Sequence, residues 1–183
     1  MKIIVGVSTY GTFPRVNRFI RSYLANTEDI SKSHTVINVC CDDGTPDLTA
    51  AREREKFCRG RNFNFIYNEK NLGIPATWNN LASFDPDADL AVILNDDVVP
   101  LAPGWLTRLV HFFENNEKIG TVGLPLVDEG RFNDHDPRWL GNPGRVGAAV
   151  GCAFAVRPKD LFSIKNPDNS LGYWADLKAF HEE

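Results

Sequence analysis

The chain has 183 residues, 43% of them hydrophobic and 24% charged, with a formal net charge of -4. That length suits one domain with a real core, and the acidic balance excludes the broad basic surface that non-specific nucleic-acid binding needs. No run of about 18 apolar residues occurs, so no membrane-spanning helix is predicted.

The start of the chain, Met1 to Val7, turns polar too quickly for a secretion signal. Lys2–Val7 reads instead as a first strand. Val16–Ala25 carries Val16, Phe19, Ile20, Tyr23 and Leu24 at helical spacing. His34–Cys41 is a second strand, and Leu48–Cys58 a charged helix with Asp47 as its N-cap. Phe63–Tyr67 is a third strand. Ile74–Ala82 is helical, with Pro75 confined to its first turn. Leu90–Leu94 is an unbroken apolar run, a central strand. Gly104–Phe113 is a helix through Trp105, Leu106, Leu109, Val110 and Phe113, and Ile119–Leu124 a fifth strand. Val127–Gly147 is a long polar loop with Gly and Pro scattered through it; such loops are usually functional or disordered. Ala148–Val156 returns to a strand, and Tyr173–Glu183 reads as a final helix.

Strands alternating with helices imply a mostly parallel central sheet flanked by helices, a three-layer α/β/α arrangement. Ligands in such sheets bind beyond the carboxyl ends of the strands. The four cysteines are Cys40, Cys41, Cys58 and Cys152. Residues 40 and 41 face opposite sides of a strand, and no zinc spacing is present. They read as reduced core thiols of a cytoplasmic protein.

Four polar clusters follow four strands. Ser8-Thr9-Tyr10-Gly11, with Arg15 close by, offers hydroxyls and a ring for a base or ribose, or else a capped loop. Asp42-Asp43-Gly44-Thr45-Pro46-Asp47 offers carboxylates to a base N–H or ribose hydroxyl, or else forms a turn held by Asx hydrogen bonds. Asn68-Glu69-Lys70-Asn71-Leu72-Gly73 leads into a helix whose N-terminus favours phosphate, with Gly73 letting backbone approach a ligand. Asn95-Asp96-Asp97 places two carboxylates at the end of the central strand. Bare charges are costly there. Hard oxygen ligands suit Mg2+ or Mn2+, ions that keep positions for water and phosphate. The plainer reading is a solvated turn capped by Asp96.

Together the four clusters resemble the family 2-type glycosyltransferases of the GT-A fold, the Rossmann-like nucleotide-diphospho-sugar transferase superfamily. The residues that carry the resemblance are Val7-Ser8-Thr9-Tyr10, Cys41 to Asp47, Asn71-Leu72-Gly73-Ile74-Pro75-Ala76-Thr77-Trp78-Asn79, and Ile93-Leu94-Asn95-Asp96-Asp97-Val98. Their order fits over residues 3 to 160. Each motif is weak alone, and the four in order are specific to the superfamily but not to a donor or acceptor.

The resemblance implies a single GT-A-type domain over residues 1–183, with a nucleotide-sugar half (about 1–100) and an acceptor half (about 101–183). It implies a UDP-sugar donor, an unidentified acceptor, inversion, and Mn2+ or Mg2+. Thr9, Tyr10 and Asp43 would meet the nucleoside, and Asn71 and Gly73 would line the donor site. Asp97 would hold the metal, with Asp96 nearer the ribose or sugar and Asn95 at the first position of a D-x-D-type motif. Gly151 to Phe154 resembles the strand beneath the acceptor site. The family's acidic pair falls on Glu182 and Glu183, with Glu183 as base; Asp176 is the rival.

The chain ends at that pair. This reads as a minimal enzyme, a shortened chain, or a protein whose acceptor wall comes from a partner or a second copy. In the long loop, His135 and Asp136 are candidates for metal or acceptor, and Arg138 and Arg145 for diphosphate, against a solvated loop face. Trp139, Tyr173 and Trp174 are candidates for stacking on sugar rings, against core packing. Two other functions are open: a non-catalytic nucleotide-sugar-binding module, and a nucleotidyltransferase. The latter usually carries a glycine-rich basic loop after its first strand, which Ser8 to Thr12 lacks.

Overall fold

The structure, a computed structural model, describes residues 1–11, 13–27, 30, 33–98, 103–124 and 153–161. In chain order the elements are β1 (Lys2–Thr9), α1 (Phe13–Asn26), β2 (Thr35–Asp42), α2 (Leu48–Arg59), β3 (Phe63–Tyr67), α3 (Ile74–Ala82), β4 (Leu90–Asn95), α4 (Trp105–Glu114), β5 (Thr121–Gly123), β6 (Ala153–Val156) and the short α5 (Pro158–Leu161). The strands form one six-stranded sheet in the order β3-β2-β1-β4-β6-β5. The first four run parallel; β6 is antiparallel to both β4 and β5.

Side-chain alternation divides the core into two layers. On one face Ile3, Val5, Val7, Cys40, Leu90, Val92 and Leu94 pack under α1 and α4, with Cys58 of α2. On the other, Ile4, Val39, Cys41, Ala91, Ile93, Phe154 and Val156 pack with Trp78, Leu81 and Ala82 of α3. Helix α3 lies close to the sheet because Gly6 has no side chain: a Cβ there would stand 3.0 Å from Cβ of Leu81. Cys40, Cys41 and Cys58 are buried free thiols, and 40 and 41 do lie on opposite faces.

Local signals set the element ends. Asp47 caps α2 by accepting from the amides of Thr49 and Ala50. Pro75 lies in the first turn of α3, where its missing N–H has no intrahelical acceptor to lose. Strand β5 is shorter than the apolar run over 119–124 predicts. Ile119 is drawn into the turn after α4, its amide donating to the Asn116 carbonyl. Its own carbonyl accepts from Nε of Arg157, whose Nη2 also reaches the Phe113 carbonyl. The strand predicted over 148–156 is described as β6 from Ala153 onward. The long loop over 127–147, Cys152 and the helix expected over 173–183 lie outside the described residues.

Candidate active site

The parallel strands end in register. Thr9 pairs with Asp42, Asp42 with Tyr67, and Ser8 with Asn95. The ladder continues one step past each strand: the amide of Asp43 donates to the Thr9 carbonyl, Asn68 to Asp42, and Asp96 to Ser8. All four polar clusters are thus joined by backbone bonds along one edge, and the pleat then sends neighbouring side chains to opposite faces.

On the face shared with α1 and α2, the Thr9 hydroxyl donates to Asp96 Oδ2 at 2.7 Å, and both residues are buried. Asp42, fully buried, accepts from Nε of Arg54 at 2.8 Å, and Arg54 Nη2 lies 2.7 Å from the same oxygen. The other oxygen of Asp42 accepts from the amide and hydroxyl of Thr45. The Asx-type turn read from the sequence is present here.

On the α3 face, Asp43 accepts from the amides of Leu72 (2.8 Å) and Gly73 (3.1 Å) and from Nδ2 of Asn68 (3.1 Å). Asn68 in turn accepts from Asn80 of α3. Gly73, at φ 82°, also donates to Asn71 Oδ1. Asn95 accepts from the Ser8 hydroxyl at 2.8 Å and from Trp78 Nε1 at 3.4 Å. Gly44, at φ 73°, lets the turn after β2 press against the next loop; a Cβ would come 2.2 Å from the carbonyl carbon of Lys70. A depression of about 560 Å3 bordered by Tyr67, Asn68, Glu69, Lys70 and Leu72 flanks this edge.

Thr9, Asp43, Gly73 and Asp96 are therefore drawn together, while Tyr10, Asn71 and Asp97 are exposed around them. Burial, reinforced by the charge of Asp97, holds the Asp96 carboxyl above its ordinary range, against the Thr9 hydrogen bond and the charges of Arg15 and Arg54. Glu182, Glu183 and Asp176 lie outside the described residues, as do His135, Asp136, Arg138, Trp139, Arg145, Tyr173 and Trp174. Arg54 has a role in this site that motif reading missed. The available signal was helical spacing: after the Asp47 cap, Ala51, Arg54 and Cys58 fall on the buried stripe of α2, and a cation on such a stripe needs an acid partner.

Among the described residues no group of three or more His, Cys, Asp or Glu side chains could hold an ion. Asp97, exposed beside a buried carboxylate, could offer only a minority of ligands. That donor set fits Mg2+ or Mn2+, which complete their shells with water and phosphate oxygens; it does not fit a closed structural zinc site.

A family model described as glycosyl transferase family 2 matches residues 4–161. The chain belongs to glycosyl transferase family 2. Solved structures carry the same fold. TarS 1–349 of S. aureus in complex with UDP superposes with a TM-score of 0.70 at 18% identity, over 98% of this chain and 54% of that one. The mannosyltransferase PcManGT of Pyrobaculum calidifontis, in complex with GDP-Man and Mn2+, gives 0.62 at 16% identity, over 88% and 45%. This chain thus spans about half the length of the structures it matches. No curated protein matches it. The family's GT-A fold is the sheet described above, its antiparallel β6 and β5 completing an otherwise parallel sheet. No helix among the described residues is long and apolar enough to cross a membrane.

Proposed function

We propose that this family 2 chain transfers a sugar, with inversion, from a UDP-sugar to an acceptor, assisted by Mn2+ or Mg2+. The observation that carries the reading is the common line of Thr9, Asp43, Asp96 and Asp97 at the carboxyl edge of the sheet. Further support comes from the UDP in TarS and the GDP-Man and Mn2+ in PcManGT.

Each residue has a physical task. A carboxylate offers about four acceptor positions, and three donors already reach Asp43; the remaining one suits a base N–H. Thr9 and Tyr10 complete the nucleoside contacts. Asn71 and Gly73 line the donor path, where glycine lets backbone come close. Asp97 would hold the ion, with Asp96 toward the ribose or sugar. A bound divalent ion supplies charge stabilisation to the departing diphosphate. Held in line, the acceptor oxygen attacks the anomeric carbon from the side opposite the diphosphate, while Glu183 takes its proton, with Glu182 beside it. Residues of about 1–100 form the donor half and about 101–183 the acceptor half. The free thiols suit a reducing cytoplasm.

The test is thermal stabilisation by UDP, GDP and their sugars, with and without Mn2+, followed by measurement of slow nucleotide release. A Mn2+-dependent shift with UDP-sugar hydrolysis is expected. Binding without turnover under any acceptor would leave a non-catalytic binding module. A response to nucleoside triphosphates alone would point to nucleotidyl transfer.

A further inference from the structure

Arg54 is the largest fully buried side chain of the described residues, and its ion-pair partner Asp42 is equally sealed. Core packing does not explain the pair, since well-packed apolar residues commonly replace a buried ion pair without loss of stability. Nor is the guanidinium fully satisfied: only Nε makes a hydrogen bond, Nη2 approaches Asp42 Oδ2 without hydrogen-bond geometry, and Nη1 finds no acceptor among the described residues. What distinguishes the pair is where it leads. One oxygen of Asp42 takes Arg54; the other takes the amide and hydroxyl of Thr45. The Thr45 hydroxyl oxygen then accepts from the amide of Gly11 at 2.9 Å. The Thr45 carbonyl accepts from the Tyr67 hydroxyl, and the Asp42 carbonyl from the amide of Asn68. One ion pair inside the sheet edge thus ties together the turns that follow β1, β2 and β3.

Among the described residues, little else holds the turn after β1. Gly11 stands at φ 76° with no neighbour within 4 Å of where a Cβ would be, and Tyr10 beside it is half exposed.

We propose that Arg54 is a positioning residue of the donor site: acting through Asp42 and Thr45, it fixes the Gly11 amide and so presents Tyr10 and Thr9 in a preformed arrangement for the nucleoside. This rests on the donor site proposed above. It predicts a division of labour. Loosening Arg54 weakens the nucleoside end and leaves the metal-dependent increment from Asp97 intact.

The experiment compares wild type, Arg54→Met, Arg54→Lys and the double variant Asp42→Asn/Arg54→Met. The single Met variant strands a buried carboxylate and is expected to fold poorly. The double variant removes both charges yet keeps an oxygen at position 42 for Thr45, so its melting temperature should return to near that of wild type. Two further readouts then separate positioning from packing. Hydrogen exchange at the Gly11 amide should quicken about tenfold, the worth of one hydrogen bond. Affinity for UDP should fall by about the same factor, with the ratio of affinities with and without Mn2+ unchanged. Arg54→Lys, which keeps the charge but loses the fork, should fall between.

If the double variant regains stability and also keeps wild-type exchange at Gly11 and wild-type UDP affinity, Arg54 is a core cation only and the proposal is overturned. The exchange measurement needs no nucleotide. Should wild type bind no nucleotide at all, the donor-site reading fails by itself, and the positioning role of Arg54 falls with it; exchange at Gly11 would still report whether the tie exists.

Discussion

Adjacent acids in this protein do different work because a strand sends consecutive side chains to opposite sides. Asp42 meets Arg54, while Asp43 holds the amides of Leu72 and Gly73. Asp96 is buried against Thr9, whereas Asp97 projects into solvent. Replacing Asp97 by Ala should therefore leave stability within about 0.5 kcal/mol of wild type, as at most exposed sites, and remove the Mn2+-dependent part of UDP binding. Calorimetric titration with and without Mn2+ checks this; full retention of the metal response would remove Asp97 from the site. The thiols make a second test. Burial pushes Cys41 up to about 12. The Cys58 hydrogen bond, followed by burial, raises Cys40. The thiolate is the reactive form, so peptides bearing Cys40, Cys41 and Cys58 should stay unmodified by iodoacetamide at pH 8 in the native protein and react once it is denatured. Mass spectrometry reads the difference.

At the level of elements, the turns after β2 and β3 are shaped by contacts that tolerate little change. Gly44→Ala combines a positive φ with a 2.2 Å overlap on the Lys70 backbone. A cost of about 2–4 kcal/mol is expected from strain and overpacking together, with UDP affinity reduced because the Asp43 bonds to the following loop shift. Asp47→Ala removes only the cap of α2 and should cost about 1 kcal/mol, with no effect on binding. Chemical denaturation and a UDP titration of both variants test that contrast. Elements of this kind were legible in the sequence. Short apolar runs located β1 to β4, and helical spacing or helix-prone composition located α1 to α4, to within a few residues, and Asp47 and Pro75 marked helix starts as the physics of capping requires. What could not be read was partnership across the chain. Arg54 lies 12 residues from Asp42, and only the fold reveals that the two meet. The shortening of β5 likewise depends on Arg157, which is distant in sequence and near only in space.

For the whole molecule, the proposed donor site draws on strands far apart in sequence. Four parallel strands ending at one level gather residues from positions 9 to 97, and motif order already implied that gathering, since each cluster directly follows a strand. In the proposed reading the proton acceptor is Glu183, with Asp176 as its rival, and a functional comparison decides between them. Under saturating donor, Glu183→Gln should lower the rate of UDP release to an acceptor by about 100-fold or more, the usual contribution of a general base, with little change in UDP affinity. Asp176→Asn should have a much smaller effect. The reverse order would transfer the role to Asp176.

The pleat has a further consequence, for insertions and deletions. Removing a single residue within β4, upstream of Asn95, would rotate every later side chain of that strand by half a turn. Asp97 would then stand opposite Thr9, Asp96 would face Trp78, and Asn95 would point into the apolar layer around Val7. Composition would hardly change, but both carboxylates would lose their assigned neighbours at once. Length within these strands is therefore under tighter constraint than the identity of most residues along them.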